Sequence, residues 1–168
     1  MLCRIRTVVL RTPGAEAAHK GGVKMPEYTA NAAQTVTAGG NILYTETAVP
    51  CTKGYVIHRE GAGVITLRGI VNCSTACSAR YKISFGANIA VPTGGTAGAI
   101  STALAINGEA VPTSSSIVTP AAVNEFGNVY ESIFVTVPRG CCTQISVQNT
   151  STQSIVVQNA NIIVERVA

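Results

Sequence analysis

From Tyr81 to Val91 the chain alternates. Tyr81, Ile83, Phe85, Ala87, Ile89 and Val91 share one parity, and Lys82, Ser84, Gly86 and Asn88 share the other. Two residues is the side-chain period of an extended strand, so residues 80–91 are predicted to form a strand with one buried face. The composition extends that reading to the whole chain. Valine and isoleucine number 35, leucine 5 and threonine 19, so β-branched residues make up about a third of the 168 residues. Branched Cβ atoms pack well on a pleated surface and lose rotamer freedom in a helix. A chain that is 46% hydrophobic and 12% charged is not intrinsically disordered. It is long enough for one domain with its own core. So few charges leave the surface to Thr, Ser, Asn, Gln and Ala, or to other subunits.

Turn residues divide the body into short β-rich runs. These are residues 34–36, 42–47, 54–58, 64–68, 80–91, 99–106, 109–118, 129–137, 142–149 and 154–164. Residues 59–63 read as a hairpin loop, and residues 72–79 as a polar, cysteine-bearing loop. Asn107-Gly108 is a tight-turn signal because both residues tolerate positive φ. Residues 119–126 have room for one helical turn. Nine or ten strands in about 140 residues predict an all-β, antiparallel two-sheet sandwich or a small barrel. Residues 133–137 and 155–157 are apolar or Ala/Thr-faced on both sides. A monomeric sandwich has a polar outer face, so one sheet is expected to pack against a partner.

The net charge of +4 is unevenly distributed. Residues 1–24 carry Arg4, Arg6, Arg11, Lys20 and Lys24 against Glu16, whereas residues 25–168 carry seven basic and seven acidic groups. A neutral body is expected to lack the basic face that nucleic-acid binding requires. No stretch reaches 18 apolar residues, so no transmembrane helix is expected. Residues 1–33 read either as an N-terminal arm or as a mis-called extension ahead of a start at Met25, because Lys20-Gly21-Gly22 can be encoded by a sequence resembling a bacterial ribosome-binding site. Export targeting is a third reading, weakened by Arg11, which interrupts the short apolar run 7–10. Residues 34–168 are the expected domain.

Several ordered segments carry a family resemblance. They are Thr35-Val36-Thr37-Ala38-Gly39-Gly40-Asn41-Ile42, Ala103-Leu104-Ala105-Ile106-Asn107-Gly108, Ile145-Ser146-Val147-Gln148-Asn149 and Asn159-Ala160-Asn161-Ile162-Ile163-Val164. Over residues 34–167 the chain resembles the tumour-necrosis-factor/C1q-like jelly rolls of bacteria and their phages. Similar domains end collagen-like spore-surface glycoproteins or form trimeric phage fibre and capsid-decorating domains. The resemblance implies a jelly-roll homotrimer with a hydrophobic axis, acting as a structural or binding module rather than an enzyme. The strands through Tyr81 and Phe85, Ile133 and Val135, and Ile155 and Val157 are the expected trimer-packing strands. No Gly-X-Y stalk precedes the domain in this sequence, which favours capsid or fibre decoration at a virion surface over a spore-filament tip. A spore or cell-surface appendage subunit, with capsid or surface-layer contacts, is the alternative. An adhesive module that binds glycan or a receptor is another, but five tyrosines and no tryptophan offer few stacking platforms.

The chemistry-bearing residues point away from catalysis. Cys3, Cys51, Cys73, Cys77, Cys141 and Cys142 are candidates for disulfides or inter-subunit crosslinks, with reduced structural thiols as the alternative. Cys51 could pair with Cys141 or Cys142. Cys73-x₃-Cys77 has a spacing that zinc permits, but the adjacent pair Cys141-Cys142 does not readily ligate one ion, so no metal is expected. His58 is the only histidine of the body and is expected to cap a strand or pair with Glu60. The glutamates are dispersed, aspartate is absent, and residues 91–96 form a glycine-rich turn lacking the Gly-Lys-Ser/Thr of a phosphate loop. No catalytic residue and no cofactor is expected.

Overall fold

A computed structural model describes residues 25–70 and 77–167. The proposed arm before Met25, with Cys3, and the loop residue Cys73 lie outside the described residues. The strands are β1 (Glu27–Ala30), β2 (Gln34–Val36), β3 (Glu46–Val49), β4 (Val56–His58), β5 (Ile65–Arg68), β6 (Ser78–Ala90), β7 (Ile100–Ile106), β8 (Glu109–Ala110), β9 (Ser116–Val118), β10 (Gly127–Pro138), β11 (Cys142–Asn149) and β12 (Ile155–Arg166).

They form two antiparallel sheets. The first runs β10-β6-β12-β1-β3, with β2 also on β12; the second runs β4-β5-β11-β7-β8, with β9 also on β7. β1 pairs with β12 from Ala160 to Ile163, and β2 pairs with it from Ile155 to Val157. The sandwich therefore begins at Glu27, earlier than the boundary at residue 34 that the sequence suggests.

The alternation in β6 is fully expressed. Tyr81, Ile83, Phe85, Ala87 and Ile89 are buried between the sheets, and Arg80, Lys82, Ser84, Gly86 and Asn88 are half-buried or exposed; at the strand's end Ala90 is buried as well. Fully burying each large apolar side chain of this kind is worth about 1.5–3 kcal/mol. Tyr81, Phe85, Val135, Ile155 and Val157 are 0–4% exposed inside the chain's own core, and Ile133 is half-buried against it. These residues mark the inward face of the strands expected to pack in a trimer. All share the inward parity of their strands, so any contact with another subunit falls to the residues between them.

Three local expectations shift. The 109–118 return is broken: β8 and β9 both pair with β7, and a 3₁₀ turn over Pro112–Ser114 separates them. There the Leu104 N–H donates to Ser114 Oγ at 3.0 Å, in place of a strand partner. The short helical turn thus lies at Pro112, and residues 119–126 form bends and turns. His58 contacts the Ala62 carbonyl through Nε2 at 3.0 Å instead of pairing with Glu60. Asn107 (φ 53°) and Gly108 (φ 88°) close the β7–β8 hairpin, as both positive dihedrals of a type I′ turn require.

Two polar side chains latch the sheets at opposite ends. At one end Tyr81 of β6 donates its hydroxyl to the Arg68 carbonyl of β5 at 2.6 Å, and burial pushes its phenol up to about 12. At the other end Asn149 of β11, fully buried, donates through Nδ2 to the Val36 carbonyl of β2 at 3.0 Å.

Candidate functional site

The outer face of the first sheet carries two exposed aromatic rings beside an uncharged groove. It is built by register. β10 sets Tyr130 opposite Gly86, Ser132 opposite Ser84, and Phe134 opposite Lys82 on β6. β12 continues these rows with Asn161 beside Gly86, Ile163 beside Ser84 and Glu165 beside Lys82. Tyr130 and Phe134 are 63% and 55% exposed, which is unusual for two aromatic rings on one strand.

Gly86 has no side chain, so a groove opens between Tyr130 and β12. It holds about 300 Å³ and is lined by Asn88, Asn128, Tyr130, Asn159 and Asn161, with Ile163 at one side. The β6–β12 register shifts between Gln158 and Asn161, and Asn159 takes φ 53° there, so a bulge aims extra amides into the groove. Ser84 also lines it, and its hydroxyl lies 3.3 Å from that of Ser132. The Ser84 hydroxyl, and then that of Ser132, holds the Tyr130 phenol below its usual value. Asn161 donates to Glu27 at the far margin, and Arg80 stacks over the Phe134 ring at 4.7 Å. The surface can bury apolar area and exchange amide hydrogen bonds. It carries no nucleophile–base pair.

The predicted thiols divide by environment. Cys77, Cys141 and Cys142 are exposed, Cys51 is half-buried, and all four are free. The topology gathers them at one end of the sandwich, where β6 and β11 begin and β3, β10 and β12 finish. Among the described residues no three His, Cys, Asp or Glu side chains are arranged to hold a metal ion.

The acid that the sequence reading passed over is Glu131. It lies 3% exposed in the core, with the Thr102 hydroxyl donating to Oε1 and no partner on Oε2. Burial raises its carboxyl from 4.5 to about 7, and the bonds from Thr102 and the Leu104 backbone offset only part of that rise. The Tyr44 hydroxyl is likewise buried without a partner, and burial and then the Glu131 charge hold its phenol well above the usual value. Parity could have found Glu131: it is in phase with Val129, Val135 and Val137.

Of the five tyrosines only Tyr130 is exposed; Tyr28, Tyr44 and Tyr81 are in the core and Tyr55 is half-buried. Among the described residues no helix is long and apolar enough to cross a membrane. No family model matches the chain, and no curated protein matches it. Among solved structures it is similar to the globular domain of zebrafish complement 1qA protein, with a TM-score of 0.52 at 8% identity, over 87% of this chain and 98% of that one. Two antiparallel sheets, their strand order and this superposition together identify the fold as a jelly roll of the C1q type.

Proposed function

We propose that this chain is a non-enzymatic structural module that self-associates as a homotrimer through the outer face of its first sheet. The carrying observation is the pair of exposed rings, Tyr130 and Phe134, beside a groove lined by uncharged amides. Exposed aromatic area on a weakly charged face is what association buries. The likeness in fold to a C1q globular domain supports a trimer, and the C1q/tumour-necrosis-factor resemblance implies one. The dispersed exposed glutamates, and a histidine held by a backbone carbonyl, support a role without catalysis. The assembly decorates a phage capsid or fibre at the virion surface; a spore or cell-surface appendage is the alternative setting.

Light scattering of the full chain at micromolar concentration tests this, and the expected mass is that of a trimer. The double variant Tyr130→Ser/Phe134→Ser should dissociate roughly a hundredfold or more readily, since central aromatic anchors contribute about 2 kcal/mol or more each. Its β-sheet circular dichroism should be unchanged, because neither ring is in the core. A stable wild-type monomer would sink the proposal. The amide-lined groove favours one further reading, a glycan site on the same face. Saturable binding on a glycan array that is competed by trimer formation would support that reading instead.

A further inference from the structure

The neutral sum of the body conceals a segregation that the sequence does not show. Five of the seven basic side chains in residues 25–168 meet at the thiol end. Arg80 starts β6, Arg68 ends β5, Arg166 ends β12, Arg139 is in the turn after β10 and Lys53 is in the connection from β3 to β4. Arg68, Arg80, Arg139 and Lys53 are exposed. Glu165, in register with Lys82, and Glu27, opposite Val49 and Ile163, are the carboxylates nearest this end among the described residues. The expectation that the body has no basic face is therefore corrected: it has a basic pole.

The thiols are set within it. Cys142 lies directly opposite Arg68 in the β11–β5 register. Cys141 hydrogen-bonds through its carbonyl to the Gly69 N–H at 2.8 Å, and the Cys77 carbonyl accepts from the Arg139 N–H at 2.9 Å. Cys141 and Cys142 do not readily bond to each other, since consecutive Cα atoms are about 3.8 Å apart and a disulfide usually spans about 4.4–6.8 Å.

We infer that this pole is a covalent docking surface for an acidic protein, which it captures through Cys141 or Cys142. Arginine forks pair with carboxylates, so a basic pole selects and steers an acidic surface. Exposed thiols among those cations single out a protein partner, because a protein can present a disulfide to exchange with and a nucleic acid cannot. In the step, the cysteine sulfur, as thiolate, attacks one sulfur of the partner's disulfide. A new S–S bond forms, the partner's S–S bond breaks, and the departing sulfur leaves as a thiolate that takes up a proton; no external oxidant is consumed. The pole meets the proposed trimer face at Arg80, which stacks over Phe134, but Cys142 and Arg68 belong to the second sheet, so peptide coupling at the thiols and the mass of the assembly are read independently.

The test uses the full reduced chain and two synthetic peptides, one glutamate-rich and one lysine-rich, each carrying a single cysteine activated as a thiopyridyl disulfide. At low ionic strength the acidic peptide should couple at least about tenfold faster, with the adduct on Cys141 or Cys142, and the ratio should collapse in high salt. Arg68→Gln/Arg139→Gln should reduce the ratio, and Cys141→Ser/Cys142→Ser should abolish the adduct. All four side chains are exposed, so these variants should fold. Equal rates for the two peptides would overturn the inference, as would an adduct on Cys51 or Cys77 instead. Saturable binding of duplex DNA that blocks the peptide would also overturn it, in favour of a nucleic-acid surface.

Discussion

Replacing Asn149 with alanine is expected to lower the free energy of unfolding by about 3–5 kcal/mol, read from urea denaturation at fixed protein concentration. The side chain, itself fully buried, makes three bonds, one wholly buried and two part-buried. Nδ2 donates to the carbonyls of Val36 at 3.0 Å and Gln153 at 2.9 Å, and Oδ1 accepts from the Ser151 N–H at 2.9 Å. Its backbone adds two more, accepting from the Gly39 N–H at 2.8 Å and donating to the Gly40 carbonyl at 3.0 Å. One residue thus fixes the turn after β2, the loop after β11 and the approach of the two sheets. Truncation leaves two carbonyls and one N–H unpaired, and each such loss in a buried setting costs about 1–3 kcal/mol. Asn149→Asp separates hydrogen bonding from shape. It keeps the volume but sets a carboxylate against two carbonyl oxygens, so it should be at least as damaging as alanine near neutral pH. It should recover in part in acid, where the protonated carboxyl regains one donor. A loss below 1 kcal/mol for both variants would mean that the latch is not what joins the sheets at this end.

How much of this was legible depended on whether the information was local. The β6 strand was readable because its parity is visible within twelve residues, and Asn107-Gly108 because a type I′ turn is specified by its own two residues. The same parity rule, applied to β10, places Val129, Glu131, Ile133, Val135 and Val137 on one face and Tyr130 and Phe134 on the other. Reading 133–137 as two-faced hid this, and left open which face of the strands through Val135, Ile155 and Val157 is free for a subunit contact. Hydrophobicity alone does not distinguish the two destinations; phase does. Other features were not local at all. Lys53, Arg68, Arg80, Arg139 and Arg166 are far apart in sequence and meet only because antiparallel strands bring their ends together. Asn149 stood in an ordinary polar loop signal, and only a backbone more than a hundred residues away at Val36 reveals what it holds. The 3₁₀ turn at Pro112 fell outside the expected residues 119–126 because Ser114 supplies a hydrogen bond across the sheet, which no local propensity records.

Glu131 should make the protein lose stability as pH rises through neutrality, the reverse of the behaviour of a salt-bridged carboxylate. Its carboxyl has an ordinary value of 4.5 and a folded value of about 7, raised chiefly by burial. Between those values the folded state holds a proton that the unfolded state has released, so raising the pH favours unfolding. The favourable contribution is fully present below about pH 4.5 and is lost as pH rises through about 7. With about 1.4 kcal/mol per unit, the full swing is about 3 kcal/mol. Glu131→Gln should remove it: the amide keeps the shape and an acceptor for Thr102, and has no charge to desolvate. The variant should match wild type at pH 4 and exceed it by about 2–3 kcal/mol at pH 8. The difference between the two proteins cancels other groups titrating in the same window, so it isolates this carboxyl. Glu131→Ala should show the same loss of pH dependence but from a lower starting point, because it leaves a void and an unpaired Thr102 hydroxyl. Parallel stability–pH curves for wild type and Glu131→Gln would show that the carboxyl reaches solvent in the folded state. The matching slopes would then place the titration elsewhere in the sandwich.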